Sequence, residues 1–213
     1  EQIDLGTESF SVASMVDDGS RPLFRFVAPT SVPERTLPSL PSLLTNTLAK
    51  GEAWPATNRD LNFRLTARDG KGGVSSDDMK IQVVNTGKAF ALTSPLVTPL
   101  VAGQTQTIDW DVAGTNAAPI NCSKVDLYMT RDEGVNWILL AGGQPNSGSA
   151  SVAIPAGSDG TARLKVACSD NLFFAISPLK LSVTQRVEGG GGGGGVLGFW
   201  TLALALLGWQ RRR

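Results

Sequence analysis

Residues 59–83, with the sequence RDLNFRLTARDGKGGVSSDDMKIQV, decide the fold class of this 213-residue chain. Apolar and polar residues alternate over 61–67 and again over 79–83, while residues 69–73 between them (DGKGG) are rich in turn formers. Alternation on both sides of such a turn predicts two antiparallel strands that are buried on one face. We therefore expect a β-hairpin here.

The same alternation restarts after a short connector at residues 85–87. Its segments lie at residues 90–92, 108–112, 125–129, 137–140, 152–154, 164–168 and 179–183. About seven short strands separated by Gly, Pro and Asn are typical of a β-sandwich. Trp110 falls on the inward side of its strand with Ile108 and Val112, so we expect it to pack in the core rather than stack on a ligand.

The first 50 residues are harder to interpret, because prolines interrupt every candidate element there. Those prolines are Pro22, Pro29, Pro33, Pro38 and Pro41. One short helix within residues 40–50 is compatible with the sequence. The prediction is an all-β protein with two Ig-like or fibronectin type III-like β-sandwich domains, at residues 1–87 and 88–186.

The composition excludes several classes of function. The chain has no histidine, and its 19 Lys and Arg residues balance 19 Asp and Glu residues. Without imidazole it cannot form a Ser-His-Asp or Cys-His nucleophile system or an HExxH zinc site. We therefore expect no catalytic residue and no metal ligand in this chain. Zero net charge also argues against a nucleic-acid partner.

The two cysteines point to a disulfide. Cys122 precedes the third predicted strand of the second domain, and Cys168 ends the sixth. Those strands are normally antiparallel neighbours in one sheet, so their ends meet. A disulfide there would stabilise the domain by about 4 kcal/mol and require an oxidising compartment. The alternative is two unpaired thiols, and two sulfurs without histidine would fill only half of a zinc tetrahedron.

The C-terminal segment, residues 187–213, has a composition unlike the rest. Seven glycines are followed by an uncharged apolar stretch at 196–209 and by three arginines. The apolar stretch spans about 21 Å as a helix, less than the roughly 30 Å hydrocarbon core, so the glycines must contribute to a transmembrane helix. Each glycine disfavours helix by about 1 kcal/mol relative to alanine. We expect a transmembrane segment that unwinds easily, with its arginines in the cytoplasm and the body outside.

The order of glycine run, short apolar helix and arginine cluster resembles the GlyGly-CTERM sorting signal of Gram-negative bacteria. The resemblance implies a transient inner-membrane intermediate, cleavage near the glycines by a rhomboid-type sorting protease (rhombosortase), and delivery to the cell surface or medium through the type II secretion machinery. It assigns sorting and processing to Gly189, Gly190, Gly191, Gly192, Gly193, Gly194, Gly195, Arg211, Arg212 and Arg213. A simple membrane anchor is the alternative.

Thr130, Asp132, Gly134 and Trp137 fit the Asp-box pattern S/T-x-D-x-G-x-x-W. The spacing suits a hairpin in which the Asp carboxylate accepts backbone N–H groups, Gly adopts a positive φ and Trp packs back over the turn. Because the motif occurs once, we interpret it as structural rather than sugar-binding.

Adjacent acidic residues occur at 17–18, 77–78 and 132–133. Neighbouring side chains on a strand point to opposite faces, so these pairs do not supply the two facing carboxylates of a glycosidase. We interpret them as solvated loop acids. A calcium ion at the edge of the sandwich, with Asp69, is a weaker alternative because no EF-hand spacing supports it. We expect no cofactor in this chain.

Several stretches of the body resemble the C-terminal region of secreted bacterial reprolysin-like zinc metallopeptidases. They occur in the same order as in those proteins, at residues 22–26, 59–78, 106–122, 130–137 and 162–177. The resemblance implies an upstream catalytic domain that carries the HExxH zinc site, and it transfers no catalytic or zinc-binding residue to this chain. A start at Glu1 without methionine or leader is expected of a fragment or a processed part.

The sequence therefore predicts a non-catalytic accessory region of an exported, surface-sorted protein, whose parent is a zinc metallopeptidase. The expected partners are the sorting protease, the secretion machinery and a protein or polysaccharide ligand. The alternatives are a stand-alone adhesin or carbohydrate-binding module and a chain that stays anchored in the membrane.

Overall fold

A computed structural model describes residues 1–6, 15–32, 34–95, 99–157 and 159–185. These residues are mostly strand, so the all-β prediction is confirmed. The described elements, in chain order, are α1 (Leu40–Thr45), β1 (Arg59–Arg68), β2 (Val74–Val83), β3 (Ala91–Ser94), β4 (Leu100–Val101), β5 (Thr105–Asp111), β6 (Lys124–Thr130), β7 (Ile138–Pro145), β8 (Ser149–Ala153), β9 (Asp159–Cys168), β10 (Phe174–Ile176) and β11 (Leu181–Thr184).

Strands β3 to β11 form two sheets that share one core. One sheet has the order β3-β5-β8, and the other has the order β4-β11-β9-β6-β7, with β10 also paired to β9. Pairing is antiparallel except between β4 and β11. The core contains buried residues from both sheets, among them Leu92, Ile108, Trp110, Val152, Leu100, Leu127, Met129, Leu164, Val166, Leu181 and Val183. This part of the chain is therefore a two-sheet β-sandwich.

The central strands β6 and β9 show how the sequence specifies this packing. Each buries every second side chain, as alternation along a strand requires. The inward residues are Val125, Leu127 and Met129 on β6, and Ala162, Leu164 and Val166 on β9, all with 0% exposure. Burying each larger aliphatic side chain stabilises the fold by about 1.5–3 kcal/mol relative to leaving it in water.

Trp110 is buried in the core, as predicted, and its polar atom has a partner there. The indole Nε1–H donates to Oδ1 of Asn146 at 2.8 Å. The Asn146 side-chain amide in turn donates to Oγ1 of Thr115 and to the carbonyl of Cys122, both at 3.0 Å. This network avoids the cost of about 1–3 kcal/mol that an unpaired buried polar group would carry.

The predicted disulfide between Cys122 and Cys168 is present, with the two Cα atoms 6.0 Å apart. Cys168 lies opposite Val125 in the β6–β9 pair, so the bridge joins the segment before β6 to the end of β9. The exposed fractions of Cys122 and Cys168 are 0% and 6%. The bridge therefore closes one end of the central strand pair from inside the sandwich.

Residues 1–87 differ from the sandwich domain predicted for them. Their described strands are β1 and β2, which form a two-stranded sheet, and Gln2 makes an isolated bridge to β1. Loops pack on the base of this hairpin around a small core of Leu23, Phe24, Ala53, Leu61 and Phe63. Prolines fix φ and remove backbone donors, and their density between residues 22 and 41 favours loops over further strands. Within the described part of residues 1–87, the structure is therefore a hairpin with packed loops instead of the predicted sandwich.

Helix α1 is shorter than the segment of residues 40–50 in which the sequence allowed it. It ends at Thr45, because Asn46 adopts a left-handed φ of 51° and its N–H bonds to the carbonyl of Ser42. A left-handed residue at this position terminates a helix and satisfies one of its last carbonyls.

No helix of the described residues is long and apolar enough to cross a membrane. The predicted transmembrane sorting helix falls within residues 186–213, together with the glycine run and the three arginines, and so lies outside the described residues.

Asp17 and Arg59 form a buried ion pair that anchors the loops of residues 1–87. Oδ1 of Asp17 lies 2.9 Å from Nη1 of Arg59, and the two side chains are 0% and 5% exposed. The carboxylate also accepts the backbone N–H groups of Ala56, Gly19 and Thr57. Burial by itself would raise the pKa of Asp17, but these hydrogen bonds outweigh burial and lower the pKa to about 2.

Replacing both cysteines, Cys122→Ala with Cys168→Ala, should lower the free energy of unfolding by about 4 kcal/mol, because the bridge restricts the unfolded chain. Guanidinium titration followed by fluorescence would measure the loss. The matched control is the wild type reduced with dithiothreitol, which should lose a similar amount. An unchanged midpoint in both samples would contradict the prediction.

Asp17→Asn should destabilise the loops of residues 1–87 at neutral pH. The pKa of Asp17 is lowered from 3.8 to about 2, which corresponds to about 2 kcal/mol of stability. This stability is fully present above the unfolded-state pKa and is lost as the pH falls through 2. Urea titrations at pH 7, 4 and 2 should show the gap to the wild type closing toward pH 2. The exposed variant Asp77→Asn is the control, and a pH-independent gap for Asp17→Asn would refute the expectation.

Candidate functional site

The Asp-box forms the turn between β6 and β7, at one edge of the larger sheet. Thr130 Oγ1 donates to Oδ1 of Asp132 at 2.8 Å and accepts the N–H of Gly134 at 2.9 Å. The Asp132 carboxylate accepts the backbone N–H of Asn136 at 2.9 Å and the Asn136 side-chain amide at 2.7 Å. These bonds, led by the backbone N–H of Asn136, lower the pKa of Asp132. The carboxylate therefore stabilises the turn to which it belongs.

Trp137 packs back over this turn, as the motif predicts. Gly134 adopts a φ of 84°, a conformation that favours glycine. A Cβ at Gly134 would also lie 3.3 Å from Cζ2 of Trp137 and 3.0 Å from Cδ2 of Leu40. Leu40 belongs to α1, so the turn also contacts the N-terminal part of the chain.

Three aromatic rings surround the ammonium group of Lys165 beside the Asp-box. The Nζ atom lies 4.2 Å from the ring centre of Trp137, 4.6 Å from that of Tyr128 and 5.8 Å from that of Phe174. Tyr128 and Lys165 are directly opposite each other on β6 and β9. We call these four residues the aromatic cluster. At such distances the ring faces attract the cation.

The aromatic cluster is already filled by its own lysine. Burial lowers the pKa of Lys165, and the nearby carboxylate of Glu34 acts in the opposite direction. Burial also raises the pKa of Tyr128, to which Asp126 adds. Ring faces that contact an internal cation are less accessible for stacking on a sugar, so the geometry favours a structural role.

Arg163 joins this end of the sandwich to α1. Its side chain is 5% exposed. Its Nη1 donates to the carbonyl of Ser177 at 2.8 Å, and its Nη2 donates to the carbonyl of Leu44 at 2.9 Å. Glu133 of the Asp-box lies 3.9 Å from Nε of Arg163 and forms an ion pair with Lys180. The Asp-box, the aromatic cluster and Arg163 therefore form one contact region with the N-terminal part of the chain.

Sequence reasoning missed this contact region. The alternation placed Tyr128 and Lys165 on the outer faces of two strands, but it did not give the register that sets them opposite each other. Arg163 carried no signal, because one arginine in a strand usually lies in solvent.

The acidic pairs do not converge on a common site. Arg64 binds Asp78 in a bidentate ion pair, at 2.7 and 2.8 Å, which lowers the pKa of Asp78. Asp69, the calcium candidate, accepts the backbone N–H groups of Lys71 and Gly73 at 2.7 and 2.9 Å within the β1–β2 turn. These bonds lower the pKa of Asp69, and the bond from the N–H of Lys71 has the largest effect.

Within the described residues, the group of potential metal ligands is Cys122, Cys168 and Asp170, whose ligand atoms lie within 4.8 Å of one another. The two sulfurs are bonded to each other, so neither is the thiolate that a metal binds. This set therefore does not fit zinc. The residues predicted for sorting, Gly189 to Gly195 and Arg211 to Arg213, lie outside the described residues.

No protein-family model matches this chain, and no curated protein matches it. The two family resemblances therefore stay predictions.

Thr130→Val should destabilise the sandwich by about 2 kcal/mol, because it leaves two backbone N–H groups without their acceptor at a fully buried position. Thr130 accepts the N–H groups of Asp132 and Gly134 and is 0% exposed. Chemical denaturation measures the change. Val135→Ala, in the same turn but 77% exposed, is the control and should have little effect. Equal losses in both variants would contradict a structural role for the Asp-box.

Proposed function

We propose that residues 1–186 form a non-catalytic accessory region of an exported protein and that residues 187–213 sort this protein to the cell surface. The observation that carries the proposal is the C-terminal order of seven glycines, an uncharged apolar stretch and three arginines. The Cys122–Cys168 disulfide supports export independently, because such bonds persist in oxidising compartments.

The proposed sorting mechanism follows from the composition of the tail. Residues 189–209 are long enough, at 1.5 Å per residue, to cross a hydrocarbon core of about 30 Å. The glycines weaken the N-terminal third of that helix by about 1 kcal/mol each. An unwound backbone is the substrate that an intramembrane rhomboid-type protease requires. Cleavage near the glycines would remove three arginines and no acidic residue, so the released body would be acidic.

The sandwich is proposed to be Ig-like. Its smaller sheet, β3-β5-β8, packs against a larger sheet with β9 between β11 and β6. This order resembles the A-B-E and G-F-C arrangement of immunoglobulin and fibronectin domains. Such domains commonly space or dock other domains and present binding loops.

The accessory role is proposed for a zinc metallopeptidase, on the resemblance of the body to the C-terminal region of those enzymes. Zinc would belong to the upstream catalytic domain, and the described residues would position that domain or contact a protein or polysaccharide. The lack of histidine in the chain supports a non-catalytic role.

Intact-mass measurement of the exported full-length chain tests the sorting proposal. In a Gram-negative host with a rhomboid-type sorting protease, the released protein should lack Arg211 to Arg213, and deletion of the protease gene should leave the protein in the inner membrane. Replacing Gly189 to Gly195 with alanines should block release, because the helix becomes stable. Leu206→Ala keeps the glycines and is the matched control. Release with the arginines retained would overturn the proposal.

Glycan binding by the same released protein distinguishes the accessory role from that of an independent adhesin. Among the described residues, Phe26 and Trp54 are exposed aromatic side chains, at 70% and 43%. Glycan-array binding that is lost in Trp54→Ala would favour the adhesin. An upstream reading frame with a signal peptide and an HExxH motif, together with no glycan binding, would favour the accessory role.

A further inference from the structure

The β1–β2 hairpin has an exposed distal half. Each strand has 10 residues, but only Leu61 and Phe63, near the base, are buried. Beyond the base, Leu65 and Met79 are 63% and 47% exposed, on the same face as Phe63. A two-stranded ribbon is marginally stable alone, so a further strand would stabilise this hairpin.

The direction of the backbone groups shows which edge is open. Ile3 N–H donates to the carbonyl of Asn62 at 2.8 Å, and Arg64 N–H donates to the carbonyl of Glu1 at 2.7 Å. Asn62 and Arg64 therefore point their backbone groups away from β2. Lys80 and Asp78 lie opposite them, so these two residues point their backbone groups away from β1.

The outer edge of β1 is thus partly occupied by the first residues of the chain, whereas no backbone group of the described residues bonds to the outer edge of β2. We call this edge, formed by Val74, Ser76, Asp78, Lys80 and Gln82, the β2 edge. Its five residues are all exposed.

The charges of the β2 edge are self-complementary. Asp78 and Lys80 lie two residues apart, so both side chains are on one face of the hairpin. When two copies of this edge run antiparallel with Asp78 opposite Lys80, both symmetry-related pairs are of opposite charge. Shifting the register of the two edges by two residues, in one direction or the other, places either Asp78 opposite Asp78 or Lys80 opposite Lys80. Like charges directly opposite are destabilising.

We propose that the β2 edge pairs with the β2 edge of a second copy of this chain, giving a four-stranded antiparallel sheet. In the favoured register Met79 lies opposite Met79 of the second copy, so two exposed thioethers meet on the apolar face. Arg64 and Asp78 of one copy and Lys80 of the second copy then form a row of alternating charge. An edge of this length buries less surface than a standard interface, so the dimer is concentration-dependent.

Cysteine crosslinking of the full-length chain tests the pairing and its register. Met79→Cys places two thiols at a pair with Cα atoms about 4.5 Å apart, within the range of about 4.4–6.8 Å that a disulfide spans. The native cysteines are already bonded, so the new thiol reacts alone. Mild oxidation should give a covalent dimer on non-reducing gels. Thr66→Cys, exposed on β1, is the matched control.

A second pair of variants tests the register without Met79. Ser76 lies opposite Gln82 of the second copy, so Ser76→Cys mixed with Gln82→Cys should crosslink, whereas each variant alone should not. Lys80→Asp in the Met79→Cys background places like charges opposite each other twice and should reduce crosslinking about tenfold. Equal dimer yields from Met79→Cys and Thr66→Cys, or no dimer from either the Met79 variant or the mixture, would overturn the proposal.

Discussion

The antiparallel pairing of β6 with β9 is the interaction on which the sandwich depends. It runs from Val125 opposite Cys168 to Thr130 opposite Arg163. Its inward residues form the centre of the core, and its two ends carry the most specific contacts of the domain. The disulfide closes one end, and the Asp-box and Arg163 close the other. A shift of one residue would turn every inward side chain outward, so the covalent bridge and the turn both fix the register.

Several polar groups at the edges of this core have hydrogen-bond partners or ring contacts within the molecule. Asn146 links the buried indole of Trp110 to the segment beside the disulfide. Thr130 and Asp132 satisfy backbone donors of their own turn, and Lys165 lies among aromatic rings. These side chains include several that sequence motifs associate with ligands. In this chain their hydrogen-bonding and stacking capacity is used internally, which is why the proposed function rests on the tail and not on these side chains.

The fold of the second half was predictable because its signal is local. Alternation along each strand and the turn chemistry of Asp132 and Gly134 depend on neighbouring residues, and the cysteine pairing followed from the usual position of two strands. The first half was not predictable in the same way. Loops around Leu23 and Phe24 are ordered by the Asp17–Arg59 pair, whose members are 42 residues apart, and no local pattern reports such a contact. The aromatic cluster likewise required the register of β6 against β9.

The hydrogen bond from Arg163 to the carbonyl of Leu44 changes how the chain can be divided. The connector at residues 85–87 separates two sequence patterns, yet a guanidinium group from one side of it reaches a helix on the other side. A fragment that began at residue 88 would lose an acceptor for an almost fully buried cation and would uncover the Asp-box turn at Gly134, where Leu40 now packs. The sandwich is therefore not an interchangeable module, since part of its surface is completed by residues that precede it by more than forty positions.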